Sequence, residues 1–289
     1  MPQRAIQLGM LVTLSLLAPR PAFAADSAYG QLKPGAISRA EQSGVQCELC
    51  RDHLFDPAAV SARLPNGYRF IPAGEYAKGD SGVAALVAKD PRYGSFAVGS
   101  LCFMLADSFT VDGARVHPAG ATPMAFWWAH AERTPGTSPD PRMQGAAEWL
   151  QLGSWYSSKG TNRERIRATD PMAEFVDVRV RRIGPDQWRL RLPLPGEVVE
   201  AEVRGSGERK KRNTTGPGFM TVPFTGKGAD LFTVFTYFGH HHQAASGTWH
   251  AKGRGVFTTA FAIQGEASAF ATFYQDGWQA QSGLYRFGE

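Results

Sequence analysis

Strand-period alternation over residues 176–203 sets the strongest limit on what this chain can fold into. Val176, Val178 and Val180 fall on one side, and Asp177, Arg179 and Arg181 on the other. Gly184-Pro185-Asp186 turns the chain, after which Trp188, Leu190 and Leu192 alternate with Arg189 and Arg191. Pro195-Gly196 turns it again, and Val198–Val203 follows. A period of two is of no use to a helix, so the stretch predicts an antiparallel meander with one apolar face and one wet, arginine-rich face. The arginine stripe suits an anionic ligand or plain solvation.

Similar chemistry recurs elsewhere. Phe109–Val111, Asp112-Gly113 and Ala114–Val116 carry a tight-hairpin signal. Leu231–Phe261 has two aromatic and β-branched arms around a Gln-Ala-Ala-Ser-Gly break, which predicts a second hairpin. Gly82–Ala88 and Phe96–Leu105 read as buried strands. Asp56-Pro57 opens a short helix to Arg63, with Asp56 as N-cap. Met143–Tyr156 has a broad apolar stripe and reads as the main helix. Glu208–Arg212 reads as a charged loop. Many short strands with one main helix predict a mainly β (β-rich α+β) protein, an antiparallel barrel or closed sandwich. Barrels of this kind commonly enclose a small ligand.

The N-terminus carries an address. Arg4, the apolar run Leu8–Leu17 and Ala22-Phe23-Ala24 form a cleavable export signal over residues 1–24, which predicts a periplasmic or secreted protein. The apolar run is too short to span a bilayer, and no other segment of the sequence is long and apolar enough. Residues 25–56 are polar and read as an irregular arm, and 57–289 as a single β-rich domain. The formal charge of +5 includes Arg4 and Arg20 of the leader. That mild excess, with aromatics in strands and not in a basic groove, argues against a nucleic-acid partner. Three cysteines in an oxidising compartment leave one unpaired in a monomer. The pairing is either local, Cys47 with Cys50, or from one of these to Cys102.

Three constellations offer chemistry. His240 and His242, two apart on a strand, face one side, and His250 lies across the predicted hairpin with His130 as a further donor. Such imidazoles suit a divalent metal, the one cofactor the sequence suggests; a solvated hairpin tip is the plainer reading. Lys210 and Lys211 are adjacent, and an amine beside a second cation has a lowered pKa and forms Schiff bases readily; a solvated charged loop is again the plainer reading. Trp127, Trp128, His130 and Tyr237 are candidates to line an apolar ligand pocket. No GxSxG, Walker A, GxGxxG or HExxH motif is present.

The run Asp56-Pro57 through Leu64-Pro65-Asn66-Gly67-Tyr68, leading into the strand-rich Gly82–Val116, resembles the start of acetoacetate decarboxylase-like proteins. The resemblance implies a β-barrel, a keto-acid substrate and a Schiff-base lysine beside a second lysine. Lys210-Lys211 is the adjacent pair here, though it falls late in the chain and lacks the expected glycine and proline context. Three functions follow from the sequence. The first is an exported barrel that binds a small apolar or keto-containing molecule and acts on it as a decarboxylase or lyase. The second is a histidine-metal enzyme or metal-binding protein, and the third a non-catalytic carrier or interaction module. Oligomeric state is not encoded in any motif found.

Overall fold

A computed structural model describes residues 36–64, 66–134, 148–222, 231–264 and 272–286. Its strands are β1 (Ser38–Phe55), β2 (Tyr68–Phe70), β3 (Ala97–Val111), β4 (Ala114–Arg115), β5 (Thr122–Arg133), β6 (Glu148–Ser157), β7 (Ala173–Val176), β8 (Arg179–Gly184), β9 (Gln187–Leu194), β10 (Glu197–Val222), β11 (Leu231–Gly253), β12 (Thr272–Asp276) and β13 (Trp278–Arg286). The helices are α1 (Ala73–Tyr76), α2 (Ser81–Lys89), α3 (Arg163–Thr169) and α4 (Val256–Gln264). The protein is mainly β, as the alternation predicts. Its pairings return on themselves: β1 to β3, β5, β6, β10, β11, β13 and back to β1. All are antiparallel except β6 with β10. The meander of β8, β9 and the first half of β10 extends this curled sheet as a second antiparallel layer. The leader and residues 135–147 lie outside the described residues.

The meander and the Asp112-Gly113 hairpin form as expected. Asp112 and Gly113 have φ of 48° and 77°, the positive pair that a two-residue turn of this kind needs. The Asp56 helix also forms, as a 3-10 helix over Pro57–Arg63, with the Asp56 carboxylate accepting from Ala58 N at 2.9 Å.

Five expectations are corrected. Gly82–Ala88 is not a strand but most of α2, because Asp80 caps it by accepting from Val83 N at 2.9 Å, and Leu and Ala favour a helix. The expected main helix is instead β6 from Glu148 onward. Both faces of β6 are covered, so its strand period is hidden under a continuous apolar run. The expected hairpin over Leu231–Phe261 is one long strand, β11, followed by α4. Gly247 is not a turn residue; a Cβ there would lie 2.2 Å from Glu202 O, so glycine permits β10 to approach. Glu208–Arg212 lies within β10, not in a loop. Finally, residues 38–55 of the expected arm form β1, which pairs with β3, β12 and β13.

Candidate functional site

The site is built on β1. Glu48 and Cys50 point to one face, and Cys47, Leu49, Arg51 and His53 to the other, as strand alternation requires. Cys50 lies directly opposite Cys102 on β3, and the two form a disulfide. Cys47, on the far face, is a buried free thiol whose pKa is raised by burial. This selects one of the three pairings that the sequence left open.

Beside the disulfide, on the face of Glu48, is a cavity of about 100 Å³. Met104, Phe109, Phe126 and Trp128 supply apolar walls, and Thr233 and Ser282 complete its far side. Four polar groups enter it: Glu48 of β1, Gln151 and Tyr156 of β6, and Asp170 at the C-terminal end of α3. Gln151 Nε2 donates to Asp170 Oδ1 at 3.0 Å, and Tyr156 Oη donates to Asp170 Oδ2 at 2.9 Å. A bulge lets β6 present both donors. Trp128 pairs with Gln151 and Trp127 with Gly153, so Leu152 is the extra residue that brings Gln151 onto the side of Tyr156. Tyr156 is itself held by Phe109, with ring centroids 6.2 Å apart, and by the edge of Phe126 at 5.9 Å.

Burial sets the protonation of these groups. The Glu48 carboxyl is pushed up to about 8 by desolvation. Asp170 is raised by desolvation, against the opposing pull of its hydrogen bonds from Tyr156 and Gln151. Tyr156 is held well above the usual phenol range by burial and by the Asp170 charge. At neutral pH Glu48 is therefore mostly a neutral acid that can give or take a proton, the property a general acid–base needs.

Most of the sequence-predicted residues lie elsewhere. Trp128 lines the cavity, but Trp127 faces the opposite core and His130 packs against Tyr76, with centroids 4.7 Å apart. Lys210 and Lys211 are exposed neighbours on β10 whose side chains alternate; Lys210 Nζ is 3.6 Å from Glu208. His242 and His250 do not meet across a hairpin. They are eight residues apart on the continuous β11, which puts them about 26 Å apart. His250 borders an open concavity of about 450 Å³ over the arginine face, where Arg189 and Arg191 pair with Glu202 and Glu200 at 3.0 and 3.3 Å. The side chains of Tyr237 and His240 lie outside the described residues. Among the described residues, one cluster has metal-ligand spacing, Glu48 with Cys50 and Cys102, and its sulfurs are committed to the disulfide. Glu48, Gln151, Tyr156 and Asp170 were not singled out by the sequence: Glu48 sits in the segment read as an arm, Gln151 and Tyr156 in that read as the main helix, and Asp170 in a stretch given no element.

No protein-family model matches the chain, and a search of curated proteins finds no match. Solved structures of similar fold do exist. The acetoacetate decarboxylase of Legionella pneumophila aligns over 92% of each chain, at a TM-score of 0.48 and 8% identity. The enduracididine biosynthesis enzyme MppR, complexed with pyruvate, aligns over 88% of this chain and 90% of its own, at 0.46 and 12%. An acetoacetate decarboxylase-like enzyme from Sphingomonas wittichii aligns over 90% and 98%, at 0.44 and 9%. The first and third of these carry the name of the family that the Asp56–Tyr68 run resembles.

Proposed function

We propose that the cavity binds a small, largely apolar molecule and that Glu48 exchanges a proton with it. The observation that carries this reading is a carboxyl group, 2% exposed, in a cavity with aromatic walls and a pre-set Asp170–Tyr156–Gln151 hydrogen-bond group. Apolar walls hold a guest of this kind, and the fixed polar groups orient it. The buried carboxyl in the cavity supports proton transfer, as in a lyase-type or isomerising step. We place the protein outside the cytoplasm. The N-terminal leader pattern supports this, and the Cys50–Cys102 disulfide suits an oxidising compartment.

Two measurements test the reading together. Infrared titration follows the protonated-carboxyl band, which is expected to disappear with a midpoint near pH 8 and to be absent from Glu48→Gln. NMR screening of small amines, ketones and alcohols is expected to shift Trp128 and Phe126 signals selectively. A Glu48 midpoint at the ordinary value near 4.5 would remove the acid–base role. Shifts confined to other surfaces would remove the site.

A further inference from the structure

Independently of the Glu48 cavity, we propose that the arginine face of β8, β9, β10 and β11 binds an acidic glycan, a short chain of sugars that carries carboxylates. The register sorts charge by strand. One row runs Arg179 of β8, Arg191 of β9, Glu200 of β10 and His250 of β11, and the next runs Arg181, Arg189, Glu202 and Thr248. Residues directly opposite point to the same side, so the four arginines form a patch about 5 Å across the strands and about 7 Å along them. Like charges in opposite positions destabilise a sheet, and Arg179 with Arg191 and Arg181 with Arg189 are such pairs, side by side. Asp177, Glu200 and Glu202 pair with Arg179, Arg191 and Arg189 respectively, whereas Arg181 has no acidic partner among the described residues. The side chains of Arg179 and Arg189 stay 61% and 62% exposed, so their ion pairs leave further N–H donors open to a ligand.

The floor of the concavity that these residues border, about 450 Å³, chooses the class of ligand. Guanidinium groups only donate hydrogen bonds and grip a carboxylate through two parallel N–H groups, whereas the ionised Glu200 and Glu202 only accept. A ligand that suits both carries carboxylates and hydroxyl donors close together, which is the surface of a uronic-acid chain. A polyphosphate offers acceptors alone, and the two glutamates would repel it. A flat bilayer would meet the rim of the concavity and not its floor. Single-stranded nucleic acid needs aromatic faces for its bases, and no Phe, Tyr or Trp lines this concavity among the described residues. Length favours an oligomer over a single sugar acid: the exposed Arg204 extends the same face of β10 two residues past Glu202. The lining residues described for this concavity and for the Glu48 cavity do not overlap, so either reading can fail alone.

Calorimetry on the full chain near neutral pH compares trigalacturonate, the neutral trisaccharide maltotriose, inorganic tripolyphosphate, and vesicles of phosphatidylglycerol and phosphatidylcholine in equal parts. Trigalacturonate is expected to bind, more weakly as salt is added, and maltotriose not to bind. Arg181→Gln breaks no ion pair of the fold and should weaken trigalacturonate about tenfold, the worth of one charge-assisted hydrogen bond. Glu200→Ala separates a glycan site from a plain basic patch. It removes an acceptor for sugar hydroxyls, so trigalacturonate should weaken about threefold even though the face becomes more positive, while tripolyphosphate should strengthen. Thermal melts confirm the fold of both variants. Tighter binding of tripolyphosphate or of the vesicles than of trigalacturonate, a glycan affinity indifferent to Arg181→Gln, or one that rises in Glu200→Ala overturns the glycan assignment. Failure of trigalacturonate to bind the wild type overturns it as well and leaves the arginines a solvated face.

Discussion

The two faces of β1 bury ionisable groups in the same strand and treat them in opposite ways. Toward the cavity, Glu48 keeps a proton it would otherwise lose. Toward the core, His53 sheds one it would otherwise hold, with its pKa lowered to about 3 by desolvation. The His53 Nδ1–H donates to the Arg51 carbonyl at 3.1 Å, which leaves Nε2 as the bare nitrogen. Its ring sits among Trp127, Phe257 and Phe261, with centroids 6.1, 5.6 and 5.8 Å away. Arg51, also fully buried, stays charged, with its guanidinium 4.0 Å from the Phe261 ring centre and Nη1 donating to Trp249 O at 3.4 Å. Burial alone thus does not mark a site. The two sides differ in space: the core side is filled by rings, and the cavity side leaves room for a guest beside an acid.

That contrast predicts opposite pH slopes, and they are the largest effects expected. Glu48 has a folded pKa above its unfolded value of 4.5, so its contribution is fully present below pH 4.5 and is lost as pH rises to about 8. His53 has a folded pKa below its unfolded value of 6.5, so its contribution is present above pH 6.5 and is lost as pH falls toward 3. Each window spans at most about 5 kcal/mol. Urea unfolding across pH 3–9 should show Glu48→Gln gaining stability over the wild type only on the alkaline side. His53→Gln should show the reverse, flattening the acid side. Parallel profiles for the two variants would break the comparison.

Next in size is Phe257→Ala. Phe257 is fully buried and sits 4.9 Å from Trp127 between ring centroids. Its loss should cost about 3–5 kcal/mol and move the His53 pKa back toward its ordinary value, because the new space admits water. Probe binding in the Glu48 cavity should be unchanged in the fraction that stays folded. The disulfide comes third. It ties β1 to β3 across a sequence separation of 52, beside Glu48 and away from the rings. A Cys50→Ala/Cys102→Ala double variant should lose about 2–4 kcal/mol in chemical denaturation.

How much of this was readable in the sequence follows from where the polar residues lie. The meander was readable because one of its faces is wet, so Val and Arg alternate. The Asp112-Gly113 turn was readable because only special residues take its two positive φ values. β1 was not, because Glu48, Arg51 and His53 point inward from a strand covered on both sides, and a strand with polar residues on both faces looks like a loop. β6 failed for the opposite reason: apolar residues on both faces and a bulge at Leu152 erased its period. The site went unseen with them, since Glu48, Gln151 and Tyr156 belong to these two strands. The histidines and lysines stood out as clusters along the chain, but a strand 23 residues long separates what a hairpin would have joined.

The smallest predicted effect sharpens the comparison from the core side. Helix α4, which carries Phe257 and Phe261 against His53 and Arg51, has its first turn capped from β10 and not by a local residue. The buried Glu197 carboxylate accepts from Thr258 N at 3.0 Å and Thr258 Oγ1 at 3.1 Å, and lies 3.5 Å from Phe257 N. A carboxylate at this end satisfies backbone donors and complements the helix dipole. Glu197→Gln keeps one acceptor oxygen and loses the charge, so it should cost about 1 kcal/mol, a fall in Tm of about 2–4 °C. The loss should appear in the near-ultraviolet circular dichroism of the tryptophan cluster, while probe affinity at Glu48 stays the same. Equal loosening of both faces would mean that α4 braces the whole of β1, and that the cavity owes its shape to the packed core behind it.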